Sequence, residues 1–481
     1  MKELMDEALN SASRPGVDYA DIRIIRKRDQ QFAVKSGRIG SLVDDDDAGF
    51  GVRVLYRGAW GFSASSRLKR SEVRRVTDEA VRIAKVSARG LRARVKLSRE
   101  AVVCDRWDSP VLQDPFTVPP GEKLNILFEI DRLLRKDKHI KVAESGMSFS
   151  REEKWFATSE GTRIVQTVTR SGAGYSATAV GNGDCQTRSF PSSHGGQQGT
   201  SGFELVRALG LVENAERIRD EAVALLKAPH CPSGELDLIL DGSQIALQIH
   251  ESCGHPSELD RVLGMEANYA GTSFLTVDKV NHFRYGSAMV NLVADTTVPG
   301  GLATCGYDDD GVRAQRWPIV ESGILKGYHT NREVASAWGV RSRGCSRAQG
   351  WGFIPMVRIT NLSLMAGEGT LEDIIRDTRR GLLFQTNKSW SIDSRRLNFQ
   401  FGCEIGFEIK NGRRTRLIKN PSYQGVTPLF WGSCDRIAGP QAWRLWGVGN
   451  CGKGQPGQTF GMSHGASPAR FQKVRVGIHR A

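Results

Sequence analysis

The sequence predicts an α+β protein of two domains: an N-terminal α/β domain over residues 1–230 and a glycine-rich, β-rich C-terminal domain over 231–481. Three observations carry this. Strand-like and helix-like patterns alternate through the opening stretch. Glycine makes up 53 of the 481 residues, about 11% against a usual ~7%, which calls for many tight turns. Ala228-Pro229 and the following Cys231-Pro232-Ser233-Gly234 punctuate the chain near its middle. At about 150 residues per domain, the length allows two or three.

The elements follow in order. Tyr19–Ile25 has the apolar content of a strand, and residues 31–43 carry another around a Ser36-Gly37 turn. Asp44 to Asp47 is most simply a solvated loop, because adjacent carboxylates on an extended chain point to opposite faces and do not converge on a cation. Gly49–Tyr56 and Ala59–Ala64 flank Arg57-Gly58 as a hairpin. Ser71 can cap a helix over 72–86, with Val73, Val76, Ala80, Ile83 and Ala84 at helical spacing. A second helix over 212–227 aligns Ala215, Ile218, Ala222, Leu225 and Leu226. Past the break, Glu235–Leu240 reads as a strand, and Asp241-Gly242-Ser243 caps a helix carrying Ile245, Ala246 and Leu247. Thr370 and Asp373 form a capping-box-like start, with Ile374, Ile375, Thr378 and Leu382 following at helical spacing. From 383 onward the chain reads as β and loop.

Composition excludes several classes. No run approaches 18 apolar residues, so a transmembrane helix is excluded. The start, MKELMDEALNSASRPG, lacks the apolar core of a signal peptide, so a cytoplasmic location is expected. The nine cysteines are odd in number and show no C-x-x-C spacing, which suits free thiols in a reducing compartment. The net charge of +14 is dispersed, with no block of like bases. Charge alone is a weak argument for nucleic acid, so such a partner is not expected.

The chemistry concentrates in His250-Glu251-Ser252-Cys253-Gly254-His255. This is H-E-x-x-x-H, one residue longer than the H-E-x-x-H zinc signature. On a regular helix the two histidines would sit about 140° apart, too far round to share a metal. A π-bulge, or a break at Gly254, would bring them together. Neutral imidazoles are good zinc ligands, and a glutamate beside the first can take a proton from a metal-activated water. The alternative is a pair of ordinary histidines. A third ligand must come from elsewhere. Cys451, in the glycine-rich Trp446–Gln455, is a candidate for a His/His/Cys site with one open position, or else an inert loop thiol. The same loop mimics G-x-x-x-x-G-K but has Gly454 where a P-loop needs Ser or Thr, so phosphate binding is not expected. Asp308-Asp309-Asp310-Gly311 reads locally as a solvated turn.

Taken together, these segments resemble the TldD branch of the TldD/PmbA family. The stretch from His250 to Asp260 is similar to the family's H-E-A-x-G-H-x-L-E-G-D. Asp295–Gly300, Asp308–Gly311, Val320–Tyr328, Arg358–Leu362 and Cys451–Gly454 are similar to its later motifs, and residues 49–62 to its N-terminal one. The resemblance runs over nearly the whole chain. It implies a zinc (Zn2+) metallopeptidase hydrolysing peptide bonds of unfolded or flexible polypeptides. His250, His255 and Cys451 would hold the metal, and Glu251 would activate the zinc-bound water as general base. It also implies an α/β N-terminal and a β-rich C-terminal domain. The expected assembly is a homodimer, or a heterodimer with a PmbA/TldE-like partner. Substrate would bind as an extended strand. The alternative is a non-catalytic peptide-binding partner subunit of such a complex. Pro256, Ser257, Leu259 and Asp310 depart from the family pattern, which puts substrate preference in question and leaves the ligand set intact.

Overall fold

The computed structural model describes residues 1–193 and 195–478. Two 19-residue strands, β1 (Val17–Lys35) and β2 (Arg38–Tyr56), open the fold as one long antiparallel hairpin. Its turn is Ser36-Gly37, both with positive φ, and a second such turn at Arg57-Gly58 leads into β3 (Ala59–Ser65). β4 (Cys104–Asp108), β5 (Ile140–Thr158), β6 (Arg163–Gly181), β7 (Asp184–Phe190) and β8 (Gln197–Gly199) complete an eight-stranded sheet. Its path is β3-β2-β1-β5-β6-β4, with β7 and β8 also paired to β6.

The loop expected at Asp44–Asp47 is instead part of β2. These residues stand opposite Gln30, Asp29, Arg28 and Lys27 of β1. Arg28 reaches Asp44 at 2.8 Å, so cross-strand pairing with bases keeps an acidic run in the sheet.

Helices α1 (Lys2–Ala12) and α2 (Arg70–Ser87) cover one end of the sheet, with Met5, Ala8, Val73, Val76 and Ala80 packed on Ile22, Ile24, Val52 and Val54. α3 (Pro120–Leu134), α4 (Glu204–Ala208) and α5 (Ala215–Leu225) belong to the other end, where Leu127, Ile130 and Ile218 pack with Phe32, Phe149 and Tyr175. Ser71 lies inside α2 rather than capping it, because the helix begins two residues earlier than expected, at Arg70 after Lys69. Tyr19 to Ile25 is buried without alternation. Both faces of the sheet are covered there, which removes the polar-out rule of a one-sided sheet. The second cover comes from the C-terminal half. Arg23 Nη2 donates to Phe353 O at 2.6 Å, and Arg53 bridges Asp21 at 2.6 Å and Asp310 at 2.8 Å.

The second half is built on a closed ring of five strands. β9 (Gly234–Leu240) pairs in parallel with Arg380–Ile392, and antiparallel pairing runs on through Asn398–Lys410, Pro421–Val426 and Ala469–Ile478 back to β9. α6 (Gly242–Ile249) follows β9 and is buried on all sides. Its Ile245 and Ile249 pack with Leu240, Phe384, Phe401 and Phe471. A helix covered all round has no polar face to give, so its polar residues pair internally. Asp241 accepts the Gln244 backbone N–H at 2.9 Å as the expected cap, and Tyr423 OH links the Gln244 and Gln248 side chains at 2.8 and 2.9 Å.

A smaller sheet of Leu292–Asp295, Arg316–Glu321, Ile324–Leu325 and Leu362–Leu364 lies beside the ring in sequence, and Arg444–Lys453 with Gln458–Ala466 forms a separate hairpin. The Thr370 capping box is present, but its helix spans only Leu371–Arg376, and Leu382 belongs to a ring strand. The turn at Asp308–Asp310 is buried rather than solvated. Asp309 pairs with Lys154 at 2.6 Å, and Asp308 accepts the backbone N–H groups of Asp310, Val312 and Ser346. Among the described residues no helix is long and apolar enough to cross a membrane.

Candidate metal centre

The distortion that the H-E-x-x-x-H spacing requires is present. α6 passes into a π-helical turn over His250–Gly254, then a 3-10 turn over His255–Ser257. A π-turn takes up the extra residue, so both imidazoles leave on one side. Their ring centroids are 4.9 Å apart. Gly254 has an ordinary helical φ of −68°, so conformational freedom is not what requires glycine. Space is: a Cβ there would lie 2.8 Å from Ile359 Cδ1.

The hairpin Arg444–Lys453/Gln458–Ala466 brings Cys451 to the same place, at a register shift between Val448 and Cys451. Cys451 Sγ is 3.1 Å from His250 Nε2 and 3.4 Å from His255 Nε2. One ligand atom from each of the three residues falls within 4.8 Å of the others, and all three are buried.

The surrounding hydrogen bonds fix which atoms carry lone pairs. Leu362 O can only accept, so His464 Nδ1, 2.8 Å away, must donate to it. Burial holds the His464 pKa well below its ordinary value, so the ring is neutral and its Nε2 accepts. His250 Nδ1, 2.8 Å from that Nε2, must then donate, which leaves His250 Nε2 with a lone pair facing Cys451. His255 Nδ1 lies 2.8 Å from Glu258 Oε2 and donates to it, which frees His255 Nε2 in the same way.

Electrostatics agree with this assignment. Burial pushes the His250 pKa down to about 4, and burial lowers that of His255, so both stay neutral near pH 7. For Glu258 burial opposes ionisation, but Lys453 at 3.2 Å, then Arg358 and His255, outweigh it and hold the carboxyl well below its usual range. Burial also opposes a thiolate at Cys451, yet the charge of Arg358 works against it and the pKa is lowered. Arg358 Nη2 donates to the sulfur at 2.7 Å. Two imidazole lone pairs and a stabilised thiolate form a donor set that suits a zinc-like divalent ion.

These groups open on a cavity of about 220 Å³ whose walls include Leu247, Trp390, Trp446 and Val448. Glu251 lines it and forms an ion pair with Arg396. The structure thus brings together all four residues singled out in the sequence. His464, Arg358 and Arg396 were not singled out as site residues. His464 and Arg396 lie in no local motif, and Arg358 stands in an R-x-T-N-L segment that carries no visible chemistry.

Comparisons with known proteins bear on this arrangement. Sequence models of PmbA/TldA metallopeptidase domains match in succession: domain 1 over residues 20–84, the central domain over 113–227 and the C-terminal domain over 233–477. A metalloprotease of Methanocaldococcus jannaschii is 29% identical over 454 residues, covering 94% of this chain and 96% of that protein. A Haemophilus influenzae metalloprotease named as a TldD homolog is 24% identical over 472 residues, covering 97% and 94%. The crystal structure of TldE from Thermococcus kodakarensis shares the fold, with a TM-score of 0.73 at 17% identity over 99% of both chains. With three successive domain matches and metalloprotease relatives aligned over nearly its whole length, the chain belongs to the PmbA/TldD family.

Proposed function

We propose that the protein is a zinc-dependent metallopeptidase that hydrolyses peptide bonds of unfolded or flexible polypeptides, with His250, His255 and Cys451 as ligands and Glu251 as general base. The observation that carries this reading is the π-turn, which aims two imidazole Nε2 lone pairs at one cysteine sulfur beside a glutamate. When bound, the ion supplies Lewis-acid activation of water and of a scissile carbonyl. The chain's own residues do the rest. His464 and Glu258 keep the imidazoles in the ligand tautomer, and Arg358 favours the thiolate form of Cys451. Glu251 accepts the proton of the attacking water and passes it to the leaving amine. Leu247, Trp390, Trp446 and Val448 supply apolar wall for a substrate side chain beside the ligands.

We place the enzyme in the cytoplasm, where its nine free cysteines suit a reducing environment. Its partner is a second copy or a PmbA/TldE-like subunit, a reading supported by the shared fold with TldE. The test is elemental analysis of the purified protein beside His250→Ala, followed by a chelator-sensitive cleavage screen on unfolded peptides. About one zinc per chain, lost in the variant, is the expected result. A protein that takes up no metal when zinc is supplied would overturn the reading in favour of a non-catalytic binding subunit.

A further inference from the structure

A general base held by an arginine inside its own cavity needs a chemical reason. Arg396 sits in the turn between two ring strands, with φ +63°, a left-handed conformation uncommon for a residue with a side chain. The turn is over-determined. The Asp393 carboxylate accepts the backbone N–H groups of Arg395, Leu397 and Asn398 at 3.0, 2.9 and 3.0 Å. Arg396 N–H donates to Asp393 O at 2.9 Å, and Thr427 Oγ1 donates to Arg396 O at 3.0 Å. Backbone strain that is held this firmly is characteristic of functional positions. The side chain it aims is only partly used. One guanidinium nitrogen pairs with Glu251, while the buried Nε has no hydrogen-bond partner among the described residues. Arg396 lines the same cavity as His250, His255 and Cys451.

We propose that Arg396 is a catalytic residue, the group that meets negative charge on the scissile carbonyl oxygen. This rests on the peptidase reading above. Before reaction, Glu251 and Arg396 form a neutral pair. As the water oxygen bonds to the carbonyl carbon, the water proton moves to Glu251 and the carbonyl π pair moves onto oxygen. Glu251 becomes neutral at the moment the oxyanion appears. Arg396 therefore loses its resting counter-charge and gains a new one in the same step, with no change in the net charge of the site. When the C–N bond breaks, its electron pair leaves with nitrogen, and nitrogen takes the proton from Glu251. The carbonyl re-forms, giving a carboxylic acid and an amine, and the ion pair is restored. A preset cation is worth most where charge develops, because it needs no reorganisation.

The test uses the zinc-loaded full chain with Arg396→Gln and Arg396→Lys. The substrate is oxidised insulin B chain, and the inhibitor is a phosphinic analogue of a bond cleaved in it, whose tetrahedral anion imitates the reacting centre. Arg396→Gln is expected to keep its zinc and to change KM by less than about threefold, while kcat falls by about 10²–10³. Phosphinic inhibitor binding should weaken by a similar factor, and Arg396→Lys should recover part of both losses. The proposal is overturned if kcat is unchanged. It is also overturned if only KM rises, or if inhibitor and substrate binding weaken equally, since Arg396 would then bind the ground state. A wild type that holds zinc yet cleaves no peptide topples the peptidase reading itself, a result distinct from failure of Arg396 alone.

Discussion

Replacing His464 with leucine isolates one hydrogen-bond relay behind the candidate metal centre. His464 is fully buried, accepts from His250 Nδ1 at 2.8 Å and donates to Leu362 O at 2.8 Å. Leucine fills similar space with no polar atom. His250 then has no acceptor for Nδ1–H and loses the bond that selects its tautomer. Losing an outer partner of a ligating histidine costs about 10–100-fold in metal affinity, or about 1.4–2.8 kcal/mol. Two buried groups are also left unpaired, at about 1–3 kcal/mol of stability each. Zinc affinity is measured at pH 7 by competition with a chromophoric chelator, with circular dichroism to confirm folding. His464→Gln, whose carboxamide oxygen can still accept from His250, should recover part of the loss. A folded leucine variant that binds zinc within twofold of wild type would refute the relay.

Three further outcomes are expected. Glu251→Gln should retain zinc while peptide cleavage slows by about 10²–10⁴, and cleavage at the wild-type rate would remove Glu251 as the base. Gly254→Ala should cost about 1–3 kcal/mol of stability and weaken zinc binding, because its Cβ meets Ile359 Cδ1 at 2.8 Å. Ile359→Val removes that atom, so the double variant should regain stability, and strictly additive losses in thermal melts would speak against the clash. The metal-free protein should lose stability as pH falls. Burial pushes His250 and His329 from 6.5 to about 4, so the unfolded chain binds protons that the folded one refuses. Their contribution is full above about pH 6.5 and is lost progressively down to about pH 4, about 3 kcal/mol for each. A melting temperature that stays flat from pH 7 to 4.5 would contradict this.

What could be read from the sequence was what is decided locally. The Asp241 cap, the Thr370 capping box and both left-handed hairpin turns depend on neighbours within a few residues. The H-E-x-x-x-H spacing carried its own geometric condition, and the π-turn at His250–Gly254 meets it. Misreadings arose where distant chain decides. Asp44–Asp47 stays in a strand because it pairs along β1, where Arg28 and Lys27 stand among the residues opposite, and Asp308–Asp310 is buried because Arg53 and Lys154 arrive from the N-terminal sheet. The helix from Thr370 stops at Arg376 because Arg380–Ile392 is claimed by the ring. His464 and Arg396 lie 214 and 145 residues from the site residues they bind, and no spacing rule reaches that far. Cys451, 201 residues from His250, could be offered only as a candidate until family resemblance singled it out.

The ring that supports α6 closes through its last strand, Ala469–Ile478, which returns to β9. During synthesis, His250 and His255 emerge long before the sulfur they face, and even after Cys451 has emerged the ring still has two open edges. The ring that supports the candidate ligands on α6 is therefore incomplete until residues 469–478 have been made. A chain that stops before residue 469 should bind no zinc, and extension through residue 478 should restore binding. The order of the polypeptide thus makes the two histidines wait for the last pairing of the ring before their surroundings are complete.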